Sequence, residues 1–228
     1  MKTVQRIVGT ILVIIGIAIM LTPLYHTGQA WYYQWQLCRS IEVLPTGETP
    51  PANGGNTADI CSKEPISLEE DEQPALEGVQ AERPSVVSTG TEPLFLEIPA
   101  LDLEVAVVRG TEREQLKKGP GLYENSPLPG IADEANVAIA GHRTTYGAWF
   151  RHADKLEPGD VIRLTVGSDT YVYHVEQVFP VAKDDWSVVE PVGYDALTLT
   201  TCHPPGSSRE RLVVRACLVG TKGIIRTR

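Results

Sequence analysis

The chain has 228 residues, 42% of them hydrophobic, and a formal charge of −9, which leaves room for one domain of ordinary size plus attachments but hardly for two large ones. The acidic balance offers no basic face large enough to neutralise a run of phosphates, so no nucleic-acid partner is expected. Four cysteines without a Cys-x-x-Cys pair, and no histidine pair at ligand spacing, make neither a zinc site nor a dense disulfide framework, so neither metal nor cofactor is expected.

Ile7 to Leu24 is an uncharged stretch of eighteen residues interrupted only by Thr10, Thr22, two glycines and Pro23, just long enough to cross the hydrocarbon core as a helix. Lys2 and Arg6 precede it, which puts the N-terminus in the cytoplasm and everything after Tyr25 outside. Tyr25, Trp31, Tyr32, Tyr33 and Trp35 form an aromatic cluster suited to the outer interface. The competing reading is a cleaved signal peptide; the apolar stretch is longer than a usual signal core, and Gly28-Gln29-Ala30 is a poor cleavage site. Residues 1–35 are therefore read as cytoplasmic stub, transmembrane anchor and interfacial segment.

From residue 36 to residue 93 Pro, Gly and acidic residues dominate, with eleven acidic against three basic side chains. Runs such as Glu69-Glu70-Asp71-Glu72 cannot bury enough apolar surface to offset ordering entropy, so 36–93 reads as a disordered extracellular linker. Cys38 and Cys61 lie in it, where a disulfide is chemically permitted; whether they pair, or remain free or intermolecular thiols, stays open.

Residues 94–228 read as the folded domain. Leu94 to Ile98 and Leu103 to Val108 are short β-rich runs around the turn Pro99-Ala100-Leu101-Asp102. Thr111 to Glu114 has capping-box spacing and Gly119-Pro120-Gly121 breaks the chain's helical run, which predicts a short helix over Thr111 to Lys118. Asn136 to Ala140 is a strand that delivers His142. Val161 to Val166 and Thr170 to Val178, joined through Gly167-Ser168-Asp169, form a hairpin, and the second run continues through Pro180 to a polar connection holding Trp186. Strands from Leu197 to Thr201 and from Leu212 to Val219 flank a Pro/Gly/Ser turn. The expectation is an all-β fold, a closed barrel of about eight strands with short helices.

Cys202 ends the first of those last two strands, held by a scaffold yet exposed at a loop, with the cationic Arg209 and Arg211 across the turn able to favour its thiolate form. Those are conditions for a nucleophile. Cys217, in an apolar strand, reads as core. His26 is interfacial, His152 and His174 sit in ordinary contexts, and His203, adjacent to the thiol in an extended segment, should point to the opposite face. His142, brought in from another strand, can approach the sulfur.

Thr198-Leu199-Thr200-Thr201-Cys202, with Arg211-Leu212-Val213-Val214 opening the final strand, resembles the active-site segment of the sortases, cysteine transpeptidases of Gram-positive cell surfaces. Ala138 to Ala148 around His142 is similar to the histidine segment of class E sortases of actinobacteria. The resemblance covers Leu94 to Val219 and implies the sortase barrel, Cys202 as nucleophile, His142 as general acid/base and Arg211 in preference to Arg209 as the family's arginine, a guanidinium for substrate carbonyl groups or the developing oxyanion. It further implies substrate-contacting roles for Tyr123, Tyr146 and Thr201, one of the tyrosines standing where other classes carry a histidine.

The implied activity is cleavage between Thr and Gly of a C-terminal Leu-Pro-x-Thr-Gly or Leu-Ala-x-Thr-Gly sorting signal on an exported protein, followed by transfer of the thioester acyl group to an amine of a peptidoglycan precursor or a pilin. The implied place is the cell membrane, single-pass, with the catalytic domain outside. Two other classes remain open: an L,D-transpeptidase-like cysteine enzyme, whose Ser-x-Gly-Cys type segment is missing here, and an anchored non-catalytic β-barrel scaffold, which needs no thiol.

Overall fold

The computed structural model describes residues 2–40, 92–132 and 134–223. The first element, α1, runs unbroken over Lys2–Ser40, about 58 Å at the usual rise per residue. Its apolar side chains from Ile11 to Leu24 are largely exposed, as a lipid-facing helix requires, and it is the one described helix long and apolar enough to cross a membrane. Pro23 lies inside it, and the Thr27 hydroxyl donates to the Pro23 carbonyl at 2.9 Å.

The helix does not end with the aromatic cluster. It continues five residues past the expected boundary at residue 35, because its membrane-proximal half packs on the folded domain and tertiary contact overrides weak local propensity. Ala30 is fully buried and Gln34 is 5% exposed. The Gln34 amide donates to the carbonyls of Ala106 (3.0 Å) and Lys118 (2.9 Å) while its oxygen accepts from the Ala106 N–H at 2.9 Å. The expected linker beyond Ser40, including Cys61, lies outside the described residues up to Glu92.

Eight strands close into one barrel: β1 (Leu94–Ile98), β2 (Leu103–Arg109), β3 (Gly121–Leu122), β4 (Asn136–Ala140), β5 (Val161–Val166), β6 (Asp169–Ala182), β7 (Ala196–His203) and β8 (Glu210–Gly223), in spatial order β1-β2-β3-β4-β7-β8-β6-β5 with β5 returning to β1. Alternate residues of these strands face inward: Leu94, Leu96 and Ile98, Val105 and Val107, Ile162 and Leu164, Leu197 and Leu199 fill the interior, each such side chain contributing about 1.5–3 kcal/mol on burial.

Three details differ from the sequence reading. Strand β3 is not expected from sequence, since two residues carry no period. It exists because Gly121 lets the backbone approach within a distance at which an added Cβ would lie 2.2 Å from the Gly110 carbonyl oxygen, and it bridges Val108 on one side and Ala140 on the other. The predicted eight-residue helix is a single turn, α2 (Arg113–Leu116), whose N-cap is Glu112 without a side-chain cap bond; Glu114 pairs with Lys117 instead of closing a capping box. In the hairpin Asp169 joins the strand and pairs with Val166, leaving Gly167 (φ 59°) and Ser168 as a two-residue turn.

Cys217 is buried as expected, but it is disulfide-bonded, its partner lying outside the described residues. Cys38 is a free thiol. The bridge left open between Cys38 and Cys61 is therefore not formed.

Candidate active site

The cleft lies on the outer face of β7 and β8. In an antiparallel ladder directly opposed residues point to the same face, and the register sets Cys202 opposite Arg211, Thr200 opposite Val213 and Thr198 opposite Arg215. Leu199 and Leu212 face the core instead. One register step would bury the thiol in the barrel, which is why the Leu/Thr alternation ahead of Cys202 matters.

Arg211 Nη1 lies 3.8 Å from Cys202 Sγ and donates to the carbonyls of Ser208 (3.3 Å) and Glu210 (3.2 Å). Arg209 is exposed in the turn and is not among the cleft residues, so of the two arginines expected near the thiol the structure brings only Arg211 to it. His203 is turned away as expected: its Nδ1 is 3.2 Å from Arg143 Nη1 and its Nε2 3.9 Å from Glu210.

His142 arrives from β4, which runs parallel to β7. The Gly141 N–H donates to the Thr200 carbonyl at 3.0 Å, and the Thr201 hydroxyl donates to the Gly141 carbonyl at 2.7 Å. These bonds fasten the histidine-bearing and cysteine-bearing strand ends together, so Thr201, 4% exposed, holds the site together beneath the thiol. Gly141 is required here because a Cβ would meet the Phe150 ring at 2.5 Å. Cys202, His142 and Arg211 line one cleft of 310 Å³ together with Tyr123, Trp186 and Thr201. A second cavity of 420 Å³ lies beside it, with Thr111, Tyr123, Trp186 and Val189 lining both. Tyr123 bonds its hydroxyl to Thr200 at 2.9 Å and meets the Trp186 ring edge-on. Tyr146 is not a cleft residue; its ring packs against His142, centroids 5.2 Å apart.

Three buried polar residues around the site carry no signal in the sequence. Asn136, 1% exposed, donates to the carbonyls of Val188 (3.1 Å) and Glu190 (2.8 Å) and accepts from the Thr198 hydroxyl at 2.6 Å. Arg215 Nη2 donates to the same Val188 carbonyl at 2.9 Å. Together they pin the Trp186–Glu190 segment, one wall of the cleft, onto the barrel. Arg143, 2% exposed, binds Asp154 at 2.8 Å and donates to the Cys202 carbonyl at 3.4 Å. A strand pattern marks none of them, since their partners are largely main-chain groups far away in sequence.

Burial, and secondarily the positive charge of Arg113, push the His142 pKa below its ordinary value. The imidazole is therefore neutral at physiological pH and able to accept a proton. As pH falls the unfolded chain protonates this histidine first, so the stability linked to it is fully present above about 6.5 and is lost as pH drops towards the folded value. Arg113→Ala removes the second cause. The acid limb of kcat/KM should then move to higher pH, and the displacement should shrink in high salt because Arg113 is exposed. A low-salt profile that does not move would show that the arginine does not act on His142.

A family model described as "Sortase domain" matches residues 96–219, more than half of the chain. The chain belongs to the sortase family. Sortase D of Bacillus subtilis is 33% identical to it over 130 residues, 55% of this chain and 63% of that protein. Sortase SrtE1 of Streptomyces coelicolor is 35% identical over 134 residues, 53% of this chain and 38% of that protein. The match thus spans less than two thirds of these curated relatives. Among solved structures, sortase E1 of Streptomyces coelicolor with a tripeptide in its active site has a TM-score of 0.55 at 30% identity, covering 59% of this chain and 91% of that one. Sortase E of Streptomyces avermitilis has 0.52 at 36%, covering 59% and 92%. These class E relatives agree with the likeness of the His142 segment, and the closed eight-stranded barrel of the sortase is the expected fold.

Proposed function

We propose that this sortase is a membrane-anchored cysteine transpeptidase in which Cys202 is the nucleophile, His142 the general acid/base and Arg211 the electrostatic clamp. The observation that carries this reading is the direct opposition of Cys202 and Arg211 across β7 and β8, 3.8 Å from sulfur to guanidinium, in a cleft that His142 also lines.

Neutral His142 takes the thiol proton, and the sulfur attacks the Thr carbonyl of a Leu-Ala-x-Thr-Gly or Leu-Pro-x-Thr-Gly signal. Arg211 donates to the oxyanion that forms. Collapse breaks the Thr–Gly bond, the departing amine takes the proton from His142, and a thioester remains on Cys202. An incoming amine from a peptidoglycan precursor or a pilin attacks the thioester carbonyl, His142 accepts its proton, and the proton returns to the departing sulfur. The two neighbouring cavities that Tyr123 and Trp186 line are where the residues of the signal that precede the Thr–Gly bond would lie. The helix α1 anchors the enzyme, with Lys2 and Arg6 inside and the barrel outside the cell.

The test uses the full chain in lipid nanodiscs with each of the two peptides and a small amine. The expected result is cleavage between Thr and Gly, an amine-capped product, and an enzyme mass increased by the acyl fragment. Intact peptide in both cases would overturn the assignment.

A further inference from the structure

We infer that the membrane-proximal turns of α1 form a wall of the catalytic domain, and that His26 is a positioning residue that holds Tyr146 against His142. The inference rests on the role proposed for His142 and goes beyond it. His26, Ala30 and Gln34 are spaced i, i+4, i+8 and so share one face of the helix. That face is the docked one: Ala30 is fully buried, and Gln34 is bonded to both backbone groups of Ala106 and to the Lys118 carbonyl. The fit is tight, since a Cβ added at Gly119 would lie 2.2 Å from Gln34 Nε2. Trp31 meets Trp149 edge-on at 5.3 Å.

At the membrane end of the same face, the His26 ring meets Tyr146 at 5.2 Å and 73°, and Tyr146 meets His142 at 5.2 Å and 43°. Lys117 Nζ lies 5.9 Å from the centre of the Tyr146 ring. The phenol is thus packed by three elements: α1, the residues just after α2, and the strand end that bears His142.

The loop needs that support. Tyr146, Gly147 and Ala148 all have positive φ (47°, 85° and 47°), two of them carrying side chains that disfavour the left-handed region. Such conformations persist only where the surroundings over-determine them. Tyr146 and Ala148 come within six residues of His142, and the Phe150 N–H donates to the His142 carbonyl. Loss of the helix contact therefore frees the turn that sets the imidazole. The enzyme gains a coupling between its anchor and its acid/base: the helix that holds it in the membrane also finishes its active site.

The test is made on the full chain in nanodiscs, with kcat and KM measured separately for the sorting peptide. His26→Ala is expected to lower kcat about threefold to tenfold, the scale of one lost aromatic contact, with KM unchanged. His26→Phe, which keeps an aromatic edge on Tyr146, is expected to restore it. Gln34→Ala, which loosens the docking without touching Tyr146, is expected to lower kcat in the same sense. Wild-type kcat in His26→Ala, a change in KM alone, or failure of His26→Phe to restore turnover would each overturn the inference. Since wild-type enzyme is measured alongside, an inactive wild type would instead count against the proposed function.

Discussion

Cys202→Ala should abolish cleavage and transfer together and leave no acyl-enzyme detectable by mass. The attacking atom is gone, and no neighbouring group can replace it: His203 is engaged with Arg143 and Glu210, and Thr201 spends its hydroxyl on Gly141. The fold should survive, because Cys202 is only half-buried and its ladder to Arg211 is made by the backbone. Circular dichroism and the thermal midpoint should match wild type. His142→Ala separates the two halves of the chemistry. It should keep a thiol that alkylating reagents modify while turnover drops by about 10²–10⁴, the usual share of a general acid/base. A Cys202→Ala variant that still cleaves peptide would remove the sortase mechanism altogether.

Arg211→Lys should cost about 10²–10³ in kcat, the magnitude seen when one oxyanion donor is lost. A guanidinium can donate to the Ser208 and Glu210 carbonyls and still face the sulfur, because its planar fork presents several donors at once. An ammonium on a flexible stem cannot hold the same geometry. Arg209→Lys should stay within about twofold, since that side chain is exposed and outside the cleft, and exposed charges carry little. The two variants, assayed side by side on the same peptide, decide the arginine. A silent Arg211→Lys beside an inactive Arg209→Lys would reverse the assignment.

That Cys202 ends a strand across a turn from two arginines is legible in the sequence, and the preference for Arg211 over Arg209 comes from the sortase resemblance. An apolar run ending in Cys202 and another opening after Arg211, separated by a Pro/Gly/Ser turn, can pair in few ways once alternate residues must face a core. The same reasoning finds β1, β2, β4 and β5 within a residue of their observed bounds, and it turns His203 away from the sulfur, as the structure does. It fails at β3, where two residues offer no period, and at α2, where the capping-box spacing is present but Glu114 finds Lys117 instead. It fails again at the end of α1, because the composition turns acidic and Pro-rich near residue 36 while the helix is held by contacts with residues 106 and 118.

What the sequence by itself determined is the strands other than β3, the apolar helix, and the segments that carry Cys202, His142 and Arg211, since each depends on local periodicity or on a motif within one segment. Only the tertiary structure decided which groups support them. The parallel pairing of β4 with β7 brings Gly141 to Thr200 across 59 residues; Asn136 and Arg215 anchor the cleft wall through the Val188 carbonyl; Arg143 is buried against the Cys202 carbonyl; and His26 of α1 reaches Tyr146. The physical reason is common to all four. Main-chain carbonyls and ring faces accept partners without regard to the residue that bears them, so such contacts leave no pattern along the chain and appear only once the barrel has closed.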